Sequence, residues 1–350
     1  MRSLSRWLFG SASAALISAV VLMAIGIFSL LGMQFEASWH ELAHANRVSL
    51  LAGIDRVVYQ AAGAIRVGRG AAQVTLLAED DPRADLAANF AAVDRQVQDM
   101  FRAIPSDLSD DTVTRLTELR AAWRKSTDLG EGVIAVAAKP RAERKLADTQ
   151  AWFGALTVVV TGLGELSNRV AGAARISDPQ AGEYIQTRQF AWAARLAVGD
   201  ECGAVRSSFG SGTPLTPAQR TLVTDARGRA HQSMATLQEL LSRPDAPAAL
   251  RAAQTEATGA MQIGFKENDA AFENLGTAKQ LDGASWEKQC VSLIEPVLKP
   301  GAIALDRMAA YATANRADAI RRLVISGIVM VTASLGIGVS LLLVRARIIR

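Results

Sequence analysis

The sequence predicts an all-α protein in which two transmembrane helices flank a large extracytoplasmic region. Residues 8–35 and 323–344 contain no charged side chain, and each run reaches the roughly 20 apolar residues that cross a bilayer. Between them, breaks rich in Pro and Gly separate long Ala-rich segments without strand-like alternation. We therefore expect a sensor domain at 36–322 made of two stacked four-helix bundles, with a break near 177–182.

The flanks of the two spans predict the topology. Arg2 and Arg6 precede the first span, and Arg345, Arg347 and Arg350 follow the second. Short flanks rich in Lys and Arg stay on the cytoplasmic side, so residues 1–7 and 345–350 are expected in the cytoplasm. The first run is too long for the core of a signal peptide and lacks a small-x-small cleavage pattern before the sensor, which favours an uncleaved anchor.

Eight helices are expected in the order of the chain. The first continues out of the membrane to Leu77 because its apolar residues advance by threes and fours. Acidic or Pro-containing turns end each segment, and Pro296 and Pro300 are expected to kink the last one, since each removes a backbone donor. The helices after the first are expected at 84–104, at 111–137 with Ser109 as N-cap, at 141–176, at 180–207, from Pro217, at 248–280, and from 286 into the second span.

Composition and motifs exclude several classes of protein. The net charge is +4, but the Arg residues are scattered among Asp and Glu rather than forming a basic stripe, so no nucleic-acid partner is expected. The chain also has no Walker loop, no G-x-S-x-G elbow and no dinucleotide fingerprint. We expect no catalytic residue and no cofactor, and thus no enzyme.

The run from His40 to His44 matches the H-E-x-x-H pattern, in which two His hold zinc and the Glu acts on its water. A protease would also need a third ligand and a cleft, whereas this run follows directly after the first span. We expect a polar turn near the membrane and no metal site, with adventitious metal binding as the alternative.

Arg69 is in step with the apolar stripe of the first helix, and Arg66 lies one turn before it. A charge that faces into a bundle must be paired or must bind something. Two guanidinium groups one turn apart suit a small planar anion such as a carboxylate or nitrate. The alternative is an internal salt bridge, for example to Asp94 or Glu118.

Arg188 and Arg195 are seven residues apart on the fifth helix, with Trp192 between them. They are candidates for the opposite wall of an anion pocket, and the alternative is a solvated helix face. The aromatic residues of this part of the chain are expected in the core: Trp152, Phe153, Phe190 and Trp192.

Cys202 and Cys290 are the only cysteines, and both lie outside the expected spans. Disulfides persist in an oxidising compartment, so a bridge would connect the fifth helix to the eighth. The alternative is two buried free thiols, since Cys290 shares a stripe with Trp286, Leu293 and Val297.

The layout resembles bacterial transmembrane receptors, especially methyl-accepting chemotaxis proteins. The final run from Arg345 to Arg350 resembles the junction at which a HAMP linker begins. Residues 65–70, Ile-Arg-Val-Gly-Arg-Gly, resemble the apolar-Gln-x-Glu-Arg-Gly stretch of nitrate- and nitrite-sensing (NIT) domains, with Arg66 and Gly68 in place of Gln and Glu. Residues 286–310 resemble the last NIT helix. The resemblance implies paired helical bundles and a ligand held by arginines, which points to Arg69 and Arg66.

These observations predict a receptor, most specifically for chemotaxis, in the bacterial inner membrane. Its expected partners are a small anionic ligand or a periplasmic binding protein, a second copy of the chain, and a cytoplasmic signalling module. One alternative is the sensor of a histidine kinase or diguanylate cyclase. Another is a two-span helical scaffold without a small ligand.

Overall fold

The fold is all-helical. A computed structural model describes residues 2–105 and 110–349, and this part of the chain contains no strand. The all-α prediction is confirmed. The expected N-cap Ser109 lies outside the described residues, as do the side chains on which the topology prediction rests: Arg2, Arg6, Arg345, Arg347 and Arg350.

Eight α-helices follow one another in the described residues. They are α1 Arg2–Ala78, α2 Arg83–Ala103, α3 Asp110–Ala137, α4 Gln150–Ser177, α5 Pro179–Ser211, α6 Pro217–Leu241, α7 Ala248–Glu273 and α8 Gly283–Ile349. The predicted start of the fourth helix at residue 141 is wrong, because two 3₁₀ turns, Arg141–Glu143 and Leu146–Thr149, precede α4. Pro296 and Pro300 lie inside α8, which continues through both.

Local capping explains where two of these helices begin. The Asp178 side chain accepts hydrogen bonds from the backbone N–H groups of Gln180 and Ala181, and Pro179 occupies the first turn of α5. Thr216 and Gln219 form a capping box at the start of α6. The α4–α5 turn is therefore tight, and α5 folds back beside α4.

The segment between α3 and α4 closes the end of α1. Arg144 is buried and donates to three backbone carbonyls there: Leu76 at 3.1 Å, Glu79 at 2.5 Å and Asp80 at 2.6 Å. The last carbonyls of a helix have no partner inside the helix. One guanidinium group thus binds a carbonyl of the last turn of α1 and two carbonyls of the turn that follows it.

One compact unit comprises Met1–Ser49 and Tyr311–Arg350. Helices α1 and α8 are each long and apolar enough to cross a membrane. Within this unit, Glu41 pairs with Arg322 at 3.2 Å, and His40 lies 3.7 Å from Glu36. The Glu of the H-E-x-x-H match therefore faces a cation, and the described residues contain no group of three or more His, Cys, Asp or Glu that could hold a metal ion.

The second compact unit is Leu50–Ala310. Its part of α1 buries a stripe of apolar residues: Ile54, Val58, Ile65, Ala72 and Leu76. Helix α1 contacts α4 and α5 through Asp55, which bonds to Ser167 and Arg188. Helices α5 to α8 share a second core that includes Val198, Met261 and Val297. Asp55 thus connects α1 to α4 and α5 within this unit.

Candidate functional site

A cavity of about 1360 Å³ lies in the second unit, between segments of α1, α4, α5 and α8 and their neighbours. Arg66 and Arg69 contribute from α1, Phe153 and Thr157 from α4, and Arg195 from α5. The sequence pattern predicted pocket residues at four arginines, and the structure brings three of them to this cavity.

Arg66 and Arg195 face each other over Gly199. A Cβ atom at Gly199 would lie 3.4 Å from Nη1 of Arg195 and 3.9 Å from Nη1 of Arg66. Both guanidinium groups also lie beside the Trp192 ring, at 5.8 Å and 5.6 Å from its centroid. The buried Nε atoms of Arg66 and Arg195 have no hydrogen-bond partner among the described residues. The absence of a side chain at Gly199 therefore leaves space between the two guanidinium groups.

Arg69 is held in place by two neutral contacts from α4. Its Nη1 donates to Thr157 Oγ1 at 2.9 Å, and its guanidinium carbon lies 3.7 Å from the centroid of the Phe153 ring. These contacts orient the group and compensate part of its charge through the face of the ring. They provide no anionic partner.

Burial and mutual repulsion lower the pKa of guanidinium groups in this cluster. Burial, followed by the charges of Arg66 and Arg69, lowers the pKa of Arg195 to about 9. Burial, followed by the charges of Arg66 and Arg206, lowers the pKa of Arg69 to about 10. Both values lie above 7, so the cluster stays cationic at neutral pH. An anion placed among these groups would relieve both the repulsion and part of the burial penalty.

Two acidic residues near the cluster form ion pairs with other arginines, although the charge of Asp200 also partly offsets the lowering of the pKa of Arg66, Arg69 and Arg195. Asp200 pairs with Arg229 at 3.0 Å, and the buried Glu287 of α8 pairs with Arg206. Arg206 also lies 5.7 Å from the Phe153 ring. No ion pair is described for Arg66, Arg69 or Arg195 within the parts of the chain that the structure covers. Four residues near the site were not predicted from the sequence: Arg206, Glu287, Thr157 and Gly199. Only Arg206 had a signal in the sequence, because it lies one turn after Cys202.

Arg188 does not line this cavity. Its Nη2 and Nε donate to the two oxygens of Asp55 at 2.9 Å and 3.2 Å, and Asp55 also accepts from Ser167. Burial raises the pKa of the Asp55 carboxyl, while the charge of Arg188 and the Ser167 hydroxyl lower it again. Arg188 was predicted to bind ligand, but it lies outside the cavity and is paired with Asp55 of α1. Asp55 stands in the apolar stripe of α1 one turn after Leu51, a signal that the sequence did contain.

The salt-bridge alternatives considered for Arg69 are not formed. Asp94 accepts from Trp123 and Gln98, and Glu118 accepts from Arg115. Among the aromatic residues expected in the core, Trp152 is buried, whereas Phe153, Phe190 and Trp192 are half-buried. Phe153 instead forms part of the cavity wall.

Cys202 and Cys290 form a disulfide with Cα atoms 6.0 Å apart, and both residues line the cavity. Beside it, the Trp286 indole donates to the Cys202 carbonyl at 3.2 Å and stacks on Phe209 with centroids 4.3 Å apart. The bridge thus connects α5 to α8 next to the Arg206–Glu287 pair. Of the two alternatives that the sequence left open, the structure adopts the bridge.

Comparison with known proteins provides a fold likeness. No protein-family model matches the sequence, the chemotaxis receptors included, and no curated protein matches it. Among solved structures, the chain is similar to the NasR transcription antiterminator, with a TM-score of 0.52 and 14% identity over 89% of this chain and 85% of that one. At this identity the likeness shows the fold alone. What the two chains share is an all-helical fold.

Proposed function

We propose that the protein is a transmembrane receptor that binds a small anion at Arg66, Arg69 and Arg195. The observation that carries this proposal is a cluster of three guanidinium groups that lines one cavity without a carboxylate partner among the described residues. Buried charges in proteins are paired or bind something. Guanidinium groups bind planar anions through paired N–H donors.

The proposed receptor lies in the bacterial inner membrane with both termini in the cytoplasm. Support comes from the two helices long and apolar enough to cross a membrane and from the Arg-rich flanks of the sequence. The sensor then occupies the periplasm, where the Cys202–Cys290 disulfide would persist. The receptor acts as a homodimer.

Signal output is proposed to leave through α8. This helix lines the cavity and continues into the second apolar segment. A ligand that binds one packing of α1 and α8 better than another would shift α8 by roughly 1 to 2 Å. A cytoplasmic module, most specifically one for chemotaxis, would detect the shift, and a histidine kinase or cyclase module would use the same sensor.

Calorimetric titration of the full chain in lipid nanodiscs tests the anion site. Nitrate and acetate are the probes, at constant ionic strength, and empty nanodiscs supply the blank. We expect saturable binding to the wild type that Arg69→Ala weakens by at least about tenfold, since a hydrogen bond between charged groups contributes roughly 1.5 to 3 kcal/mol. Arg220→Ala, on an exposed residue of α6 outside the cavity, is the matched control and should leave affinity unchanged.

Two results would count against the proposal. If neither probe binds, or if both variants lose affinity equally, the arginine cluster is not an anion site. Stable capture of a partner protein in the absence of any anion response would then favour the scaffold alternative.

A further inference from the structure

The arginine cluster makes up only part of the lining of its cavity. A small inorganic oxyanion such as nitrate would fill only a small part of the 1360 Å³. Pockets of about 300 to 1,000 Å³ hold ligands of drug size, and most of their lining is apolar. The remaining wall of this cavity therefore bears on the chemistry of the ligand.

Helix α8 carries two apolar stripes in this region. The first, with Leu293 and Val297, is buried in the core. The second comprises Val291, Ile294 and Leu298, which are three and four residues apart and line the cavity. These spacings place the three residues on one helix face. The second stripe thus presents apolar side chains to the cavity.

This stripe lies close to the cationic cluster. A Cβ atom at Gly70, the residue after Arg69, would lie 4.0 Å from Cγ2 of Val291. Val67 adds a further apolar side chain from the adjoining turn of α1. Val67 is 45% exposed and Val291 is 38% exposed. Apolar and cationic surfaces therefore meet across a gap between α1 and α8 that protein side chains do not fill.

We propose that the ligand is an organic anion with an apolar body, such as an aliphatic or aromatic monocarboxylate. Its anionic group binds between Arg66, Arg69 and Arg195, and its hydrocarbon part packs against Val67, Val291 and Leu298. This inference rests on the proposed function and adds the class of ligand. An organic anion of this class differs from an inorganic ion in one measurable respect, because its affinity must rise with the length of the hydrocarbon part.

The test is a calorimetric series on the full chain in lipid nanodiscs, with empty nanodiscs as the blank. The probes are sodium acetate, butanoate, hexanoate and benzoate, with hexanamide as the uncharged control. Since a buried methylene strengthens binding by up to about fourfold, we expect hexanoate to bind at least about tenfold more tightly than acetate. Hexanamide should not bind measurably.

A substitution in the apolar wall separates the affinity that comes from the hydrocarbon chain from the affinity that comes from the anionic group. Val291→Asn should weaken hexanoate binding more than acetate binding, so that the ratio of the two affinities falls to about twofold. The matched control is Ile263→Asn on α7, which is more exposed than Val291 and outside the cavity. The control should keep the full ratio.

The outcomes distinguish the two proposals. Equal affinity for acetate and hexanoate, with both lost in Arg69→Ala, would overturn the apolar ligand and leave the anion receptor intact. No binding by any anion would overturn both. A second copy of the chain could cover this wall instead. Light scattering would then show a dimer that Val67→Asn weakens, and calorimetry would show affinities that do not depend on chain length. That result would also overturn the apolar ligand.

Discussion

Two arginines on the same helix have opposite surroundings. Arg188 and Arg195 are two turns apart on α5, and each is 3% exposed. Arg188 forms two hydrogen bonds to Asp55, itself fully buried, whereas Arg195 has Arg66 across the space at Gly199 and no described carboxylate partner. The depth of burial is equal, and the partner on α1 is what differs.

This contrast separates a structural charge from a binding charge. The Arg188–Asp55 pair is complete, so it holds α5 against α1 and has no capacity left for a ligand. The Nε atom of Arg195 has no hydrogen-bond partner among the described residues, and burial, followed by repulsion from Arg66 and Arg69, lowers the pKa of this group to about 9. Burial alone therefore does not distinguish the two arginines, whereas the presence or absence of an ion-pair partner does.

Breaking the complete pair should give the largest effect. Arg188→Met leaves the Asp55 carboxylate buried without its cation, so we expect the free energy of unfolding to fall by about 3 to 5 kcal/mol. Thermal unfolding of the full chain, followed by tryptophan fluorescence, measures the change.

The double variant Asp55→Leu/Arg188→Met serves as the control for lost packing. It should recover most of the stability, because apolar residues of similar volume often replace a buried pair without penalty. A single variant that loses less than about 1 kcal/mol would contradict the structural role of the pair.

Replacing Arg195, two turns later on α5, with Met should have the opposite effect on stability. Arg195→Met removes an uncompensated charge from the cluster, so the free energy of unfolding without ligand should stay constant or rise by about 1 kcal/mol. Nitrate, which should raise the melting temperature of the wild type through binding to the folded state, should no longer do so. The readout is the melting temperature with and without nitrate. Destabilisation as large as that of Arg188→Met would remove the distinction between the two arginines.

Gly199→Ala should give the smallest change and refine the contrast. Alanine within a helix stabilises it by about 0.5 to 1 kcal/mol relative to glycine, yet the new methyl group would enter the space between the Arg66 and Arg195 side chains. We expect a slightly higher melting temperature together with several-fold weaker anion binding. Gly210→Ala on the same helix has no atom within 4 Å of the added Cβ and is the control. Loss of anion affinity in both variants would place the ligand elsewhere.

Most helices could be predicted from the sequence because the signals that begin and end a helix are local. Apolar spacing in threes and fours, Pro-containing turns and caps such as Asp178 are each determined within a few residues. The segment before α4 was the exception. Arg144 in this segment donates to carbonyls at and just after the end of α1, more than 60 residues earlier in the chain.

The site was only partly predictable for the same physical reason. Arg66, Arg69 and Arg195 could be identified from their helical spacing, and all three line the cavity. Arg188 satisfies the same criterion, but its partner Asp55 lies 133 residues away in sequence. Periodicity gives the face on which a residue lies, whereas only the packing of helices determines which opposite charge it meets.

The disulfide between Cys202 and Cys290 has a practical consequence for spectroscopy. It engages both cysteines of these 350 residues, so this chain presents no sulfhydryl to a maleimide dye or a nitroxide spin label. A single cysteine introduced at the exposed Val67, next to the arginine cluster, would then carry the sole label. Its fluorescence or electron paramagnetic resonance spectrum could follow occupancy of the cavity in real time, without a background to subtract.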